Sequence, residues 1–211
     1  MNLLSRIAHA VRSTFGSVNG ESLPHAIFTQ RFENLLSLVQ QVDVRHHLGI
    51  QSSVVADNHS PGKYKHVQYM HIFEDEVMSM GIFLLPKGAS LPLHDHPQMM
   101  VASKLLFGSV TAKCYDWSPP SERGTLFNGK RGQLARVTRA EKVSAPEILV
   151  LTGTENNLHD FEAISEGAML TLLTPFIGGT RMELVDNLFL TRHAQRTYCV
   201  NVCMEFAQSA K

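Results

Sequence analysis

Apolar positions recur with a helical period in the first fifty residues and with a strand period after them. Leu3, Leu4, Ile7, Ala10 and Val11 fall on one side of a helix predicted over Leu3–Phe15. Phe28, Phe32, Leu35, Leu36, Leu38 and Val39 mark a second over about Ala26–Val42. The polar stretch Gln51–Lys65, broken by Asn58, Pro61 and Gly62, separates these helices from the remainder of the chain. From Tyr64 onward short β-branched and apolar runs alternate with glycines. The expected strands are Val67–Phe73, Val77–Leu85, Ser90–His94, Met99–Phe107, Ser109–Asp116, Gln133–Arg139, Ile148–Thr152, His159–Ala163, Ala168–Leu173 and Thr197–Met204. Many short strands at this spacing predict an all-β sandwich or barrel. Residues 1–63 are expected to form a helical segment and linker packed on a barrel of residues 64–211. Ser118–Arg131 and Ile177–Arg196 read as surface loops or short helices.

Composition narrows the picture. A chain of 211 residues with 44% hydrophobic content can bury a core without disulfides. Lys plus Arg equals Asp plus Glu, 19 of each, so no basic excess points to nucleic acid. No apolar run is long enough to cross a bilayer as a helix, and no membrane partner is expected. Cys114, Cys199 and Cys203 form no regular framework, which suits a reducing, cytoplasmic setting. The first twenty residues carry Arg6 and Arg12 and no acid. Such a basic amphipathic helix has two readings: a mitochondrial address, or a surface helix packing on the domain.

The sharpest chemical signal is His94-Asp95-His96, within the run from Gly88 to Pro97. On a strand, residues two apart project to the same face, so the two imidazoles stand side by side. Neutral imidazole is a ligand for borderline first-row metals. The spacing of Gly88, His94, His96, Val101 and Gly108 resembles the first metal motif of the cupin superfamily, with valine where a glutamate usually stands. A third neutral ligand would then come from His159, which opens a later strand. The usual Pro and Gly of a second cupin motif are replaced here by Thr154 and Asn156. Three facial histidines leave about three open positions on an octahedral ion. Ferrous iron in such a site would favour an incoming thiolate.

Longer stretches carry a closer resemblance. Val67–Ile72, Met80–Pro86 and Leu91–Pro97 look like cysteamine (2-aminoethanethiol) dioxygenase, and Ser103–Val110 with Cys114–Trp117 look like the plant cysteine oxidases of the same family. Asn157-Leu158-His159 matches the position of the third ligand in both. The resemblance implies a cupin fold, a double-stranded β-helix of jelly-roll type. It implies an iron(II) thiol dioxygenase that adds both atoms of O2 to cysteamine or to the N-terminal cysteine of peptides and proteins. The sulfinic acid formed on a protein would feed an arginylation-dependent degradation route and so report oxygen supply. A monomer is implied, with Fe(2+) on His94, His96 and His159 as the cofactor.

Tyr198 is expected to line the pocket or to be a core aromatic, and Val101, Thr171, His71 and Met99 are expected around the ligands or the substrate. Thr171 stands where the family carries an aspartate. The cysteine that forms a thioether in the animal enzyme would fall at Arg196, so that crosslink is not expected. Two other classes remain open on the residues alone: a three-histidine zinc enzyme of hydrolytic type, and a cupin that binds a small molecule without turnover.

Overall fold

The computed structural model describes residues 1–16, 23–49, 66–96, 99–119, 126–127, 130–131, 133–153, 155–174, 188–193 and 197–202, with backbone alone at 126–127, 130–131, 133, 188–193 and 197–202. Two helices, α1 (Leu3–Phe15) and α2 (His25–Gln40), precede the strands. The strands are β1 (Gln68–Glu74), β2 (Ser79–Leu85), β3 (Ser90–His94), β4 (Met100–Phe107), β5 (Ser109–Trp117), β6 (Leu126–Phe127), β7 (Lys130–Arg131), β8 (Gln133–Ser144), β9 (Ile148–Leu151), β10 (Leu158–Ala163), β11 (Gly167–Thr174), β12 (Leu188–His193) and β13 (Thr197–Val202). They build a five-stranded sheet, β1-β2-β11-β4-β9, and a six-stranded sheet, β12-β13-β8-β5-β10-β3, with β6 and β7 as a separate pair. Every pairing among the described residues is antiparallel. Two antiparallel sheets joined by crossovers are the cupin fold, as expected.

The five-stranded sheet is covered on both sides. Met80, Ile82 and Leu84 of β2, Leu170 and Leu172 of β11, and Ala102 of β4 share one apolar cluster with Leu3, Ile7, Val11, Leu35, Leu38 and Val39 of the helices. Phe83 and Leu85 of β2, Met169 of β11 and Leu105 of β4 turn the other way. They pack on Val110, Ala112, Phe161 and Ala163 of the six-stranded sheet. Double burial explains why β2 and β11 read as nearly continuous apolar runs rather than alternating ones. The amphipathic face of α1 is thus used for packing on the sheet.

Polar contacts fix the helices in place. Asn2 caps α1, its side chain accepting from the Ser5 N–H at 2.8 Å. The Arg12 guanidinium donates to one Asp75 oxygen at 2.6 and 2.9 Å. The other oxygen accepts from the N–H groups of Val77 and Met78, which shapes the β1–β2 turn. Lys104 is 4% exposed on the helix-facing side of β4. Its ammonium donates to the carbonyls of Gln40 and Val42 at 2.6 and 2.8 Å, where α2 ends with unpaired acceptors.

Several boundaries differ from the sequence reading. β8 runs on to Ser144, past the expected stop at Arg139. Arg139 and Glu141 share a strand face with Val143. Arg139 pairs with Glu141 and Glu147 toward the exposed end, while Val143 is buried in the core. β12 lies in the Ile177–Arg196 stretch read as loop, and β6 and β7 lie within or at the end of Ser118–Arg131. The linker residues 51–63 lie outside the described residues. Gly108, between β4 and β5, has φ +85°, and a Cβ there would meet the Glu166 carbonyl oxygen at 2.2 Å. Only glycine fits that turn.

Candidate metal centre

Pairing of β3 with β10 sets His94 directly opposite His159. Cys114 of β5 is the neighbour of His159 on the other side. His159 and Phe161 point into the space between the sheets, where their rings lie 5.0 Å apart. His96 lies just beyond the end of β3. The ring centroids of the three histidines are separated by 4.2 Å (His94–His159), 4.9 Å (His94–His96) and 5.1 Å (His96–His159). One ring nitrogen of each lies within 4.8 Å of the others.

The tautomers are set by the backbone. His94 Nδ1 lies 2.7 Å from the Pro92 carbonyl oxygen, and His159 Nδ1 lies 3.2 Å from that of Asn157. A carbonyl only accepts, so each Nδ1 carries the proton and each Nε2 keeps its lone pair for a metal. Burial lowers the pKa of His94, against the opposing pull of the Pro92 carbonyl, Asp95 and Asp160. Burial, with His94 alongside, pushes His96 down to about 3. His159, 2% exposed, is held well below the ordinary imidazole range by burial and by its two neighbours. Three neutral, partly desolvated imidazoles facing one point fit a divalent first-row metal ion.

This has a measurable consequence. Ligands that are already deprotonated release no protons when metal binds. Calorimetric titration of the apoprotein with iron(II) at pH 7 is expected to give the same heat in buffers of different ionisation enthalpy. Release of one proton or more would show that the rings are charged beforehand. The same depression makes apoprotein stability fall as pH drops. The unfolded chain takes up protons near pH 6.5, whereas His96 in the folded chain resists to about 3, so the contribution is complete above pH 6.5 and is lost below it.

The other expected site residues fall in different places. Val101 is 1% exposed and packs with Cys114, Leu151 and Leu173, forming a sealed apolar wall beside the His159 strand. Thr171 is buried on β11, its hydroxyl 3.1 Å from that of Ser103 across the strand pair. By alternation it faces inward, between Leu173, which packs on Cys114, and Met169, which shares a cluster with Phe161. Met99 is buried, and its N–H donates to the His96 carbonyl at 3.0 Å. His71 is not among the three clustered ligand candidates. Its register opposite Gly81 gives it the inward face, but β1 is an edge strand and the side chain is exposed. Strand alternation settles which face a residue takes and says nothing of the edge. Tyr198 lies on β13 opposite Ala135, and its side chain lies outside the described part. Burial raises the Cys114 thiol to about 11, so it is a packed, protonated group.

Fold and site together define a cupin whose two sheets enclose a cluster of three histidines able to hold a metal ion. The PCO_ADO family profile matches residues 35–178, so the chain belongs to that family and is an enzyme of the dioxygenase class. It is 34% identical over 192 residues to a 2-aminoethanethiol dioxygenase of Mus musculus, covering 82% of this chain and 74% of that protein. The human protein of the same name is 31% identical, with 70% of this chain and 61% of that protein covered. Plant cysteine oxidase 2 of Arabidopsis thaliana is 35% identical over 54% of this chain and 41% of its own length. Among solved structures, an RmlC-like cupin of Desulfovibrio desulfuricans superposes with a TM-score of 0.38 at 15% identity, covering 53% of this chain and 84% of that one.

Proposed function

We propose that this protein is an iron(II) thiol dioxygenase that converts a thiol and O2 to a sulfinic acid, RSH + O2 → RSO2H. Cysteamine and the N-terminal cysteine of peptides or proteins are the substrates we assign to it. The observation that carries the reading is the neutral trio of His94, His96 and His159 beside a wall that holds Val101 in place of a carboxylate. The names of its relatives, which act on 2-aminoethanethiol and cysteine, support the same substrate class. When bound, iron(II) supplies a redox-active centre at which a thiol and dioxygen can meet.

The chain's own residues contribute the rest. The three imidazoles bring no negative charge, so the anionic form of a thiol is favoured at the centre they surround. Val101, Leu151 and Leu173 keep one wall dry, which strengthens that attraction. Thr171 and Ser103 offer hydroxyls rather than a charge to the amine end of a substrate. For a protein substrate the product would mark the N-terminus for degradation and couple its lifetime to oxygen.

The test is oxygen uptake by protein reconstituted anaerobically with iron(II), using cysteamine, free cysteine and a Cys-initiated peptide, with mass analysis of each product. A gain of two oxygen atoms on cysteamine or the peptide is expected. Iron bound without uptake on any thiol would remove the dioxygenase reading, and activity with zinc alone would point to hydrolysis instead.

A further inference from the structure

The two halves of the histidine cluster are far apart in sequence, and one side chain joins them. Asn157 is buried, two residues before His159. Its Oδ1 accepts from the His96 N–H at 2.7 Å. Its Nδ2 donates to the Gly153 carbonyl at 3.2 Å. Its own carbonyl accepts from His159 Nδ1 at 3.2 Å. These partners fix the amide orientation, since a flipped amide would set a donor against the His96 N–H and an acceptor against the Gly153 carbonyl.

The loop that carries Asn157 is braced at several points. Asn156 adopts φ 56°, its N–H donates to Asp116, and its side chain accepts from the Thr138 hydroxyl at 2.7 Å. Glu155 and Thr152 exchange backbone and hydroxyl hydrogen bonds at 2.9 and 3.0 Å. His96 stands beyond the end of β3, so sheet pairing does not place it. It is held instead by Asn157 on its N–H and by Met99 on its carbonyl.

From this we infer that Asn157 is the positioning residue of the metal centre, setting the His96 main chain with its side chain and the His159 ring with its backbone. It acts through the two histidines and supplies no ligand atom of its own to the cluster. The inference rests on the three-histidine reading above. Partners of this kind typically contribute about 10- to 100-fold in metal affinity.

Cobalt(II) titration of the apoprotein, followed by its visible bands, reads affinity and coordination geometry without turnover. Asn157→Ala is expected to bind cobalt about 10- to 100-fold more weakly and to shift the bands. Asn157→Asp keeps an oxygen for the His96 N–H but sets its other oxygen against the Gly153 carbonyl, so it should recover part of the loss. Thr138→Val loosens the far side of the loop and should lower the thermal midpoint while leaving cobalt affinity intact. Asn157→Ser, polar but too short to reach His96, serves where the alanine variant does not fold. Wild-type affinity and bands in Asn157→Ala or Asn157→Ser would overturn the assignment. So would an equal loss in Thr138→Val, or no recovery in Asn157→Asp. Failure of the wild-type protein to bind cobalt or iron would instead overturn the metal centre itself.

Discussion

Replacing His159 with alanine is expected to abolish stable iron binding and to lower thiol-dependent oxygen uptake by more than about 100-fold, beyond what loss of an outer partner causes. The fold should survive. The imidazole is 2% exposed and faces its two neighbours and Phe161, so alanine leaves a small void but also removes a desolvated polar ring. Those effects oppose each other. Circular dichroism should therefore show native strand content, and the apo thermal midpoint should move little. The wild-type protein should gain stability from iron(II), about 2.7 kcal/mol at one hundred times Kd, and the variant should gain none. Metal content, melts with and without iron, and oxygen uptake together make the check. A variant that still holds one iron per chain and turns over would remove His159 from the site.

Val101→Glu should be nearly as damaging, by a different route. Val101 is 1% exposed and packs against Cys114, Leu151 and Leu173. A glutamate is larger than this position allows and would place an ionisable group in a dry wall. Burying it without a partner is expected to cost the apoprotein roughly 3 kcal/mol or more. Its nearest source of compensation is a metal ion on the trio, so iron(II) should restore stability more in the variant than in the wild type. Activity should still fall, because a carboxylate would offset the positive charge that favours the thiolate. Urea unfolding with and without iron gives the answer. Unchanged apo stability would mean that Val101 does not seal the wall.

How much of the fold and site is legible in the sequence differs from residue to residue. The i, i+2 spacing nominates His94 and His96 as a pair, but only His94 lies on β3; His96 is brought beside it by its hydrogen bonds to Asn157 and Met99. His159 can be nominated from its place near a strand start, but its register opposite His94 is a property of sheet pairing. The back-to-back burial of β2 and β11 is present in their unbroken apolar runs, yet those runs do not say that helices do the covering. Asn157 is invisible as a positioning group. Asparagine is common in turns for local reasons, and nothing in Asn156-Asn157 marks one amide as reaching across to His96. His71 shows the converse, an inward register on a strand whose edge leaves it exposed.

Every residue of β11 is buried, with one set of side chains committed to the helices and the other to the space between the sheets. A change of size on such a strand must be accommodated by two layers at once. That restricts how a descendant of this enzyme could acquire a new substrate. Thr171 and Ser103 answer mainly to each other among these buried positions, one hydroxyl against another at 3.1 Å. A paired exchange there, made without disturbing Leu170 or Leu172 on the reverse face, is the path of least resistance for selection. The helices, remote from the chemistry, thereby narrow the set of pockets that evolution can reach.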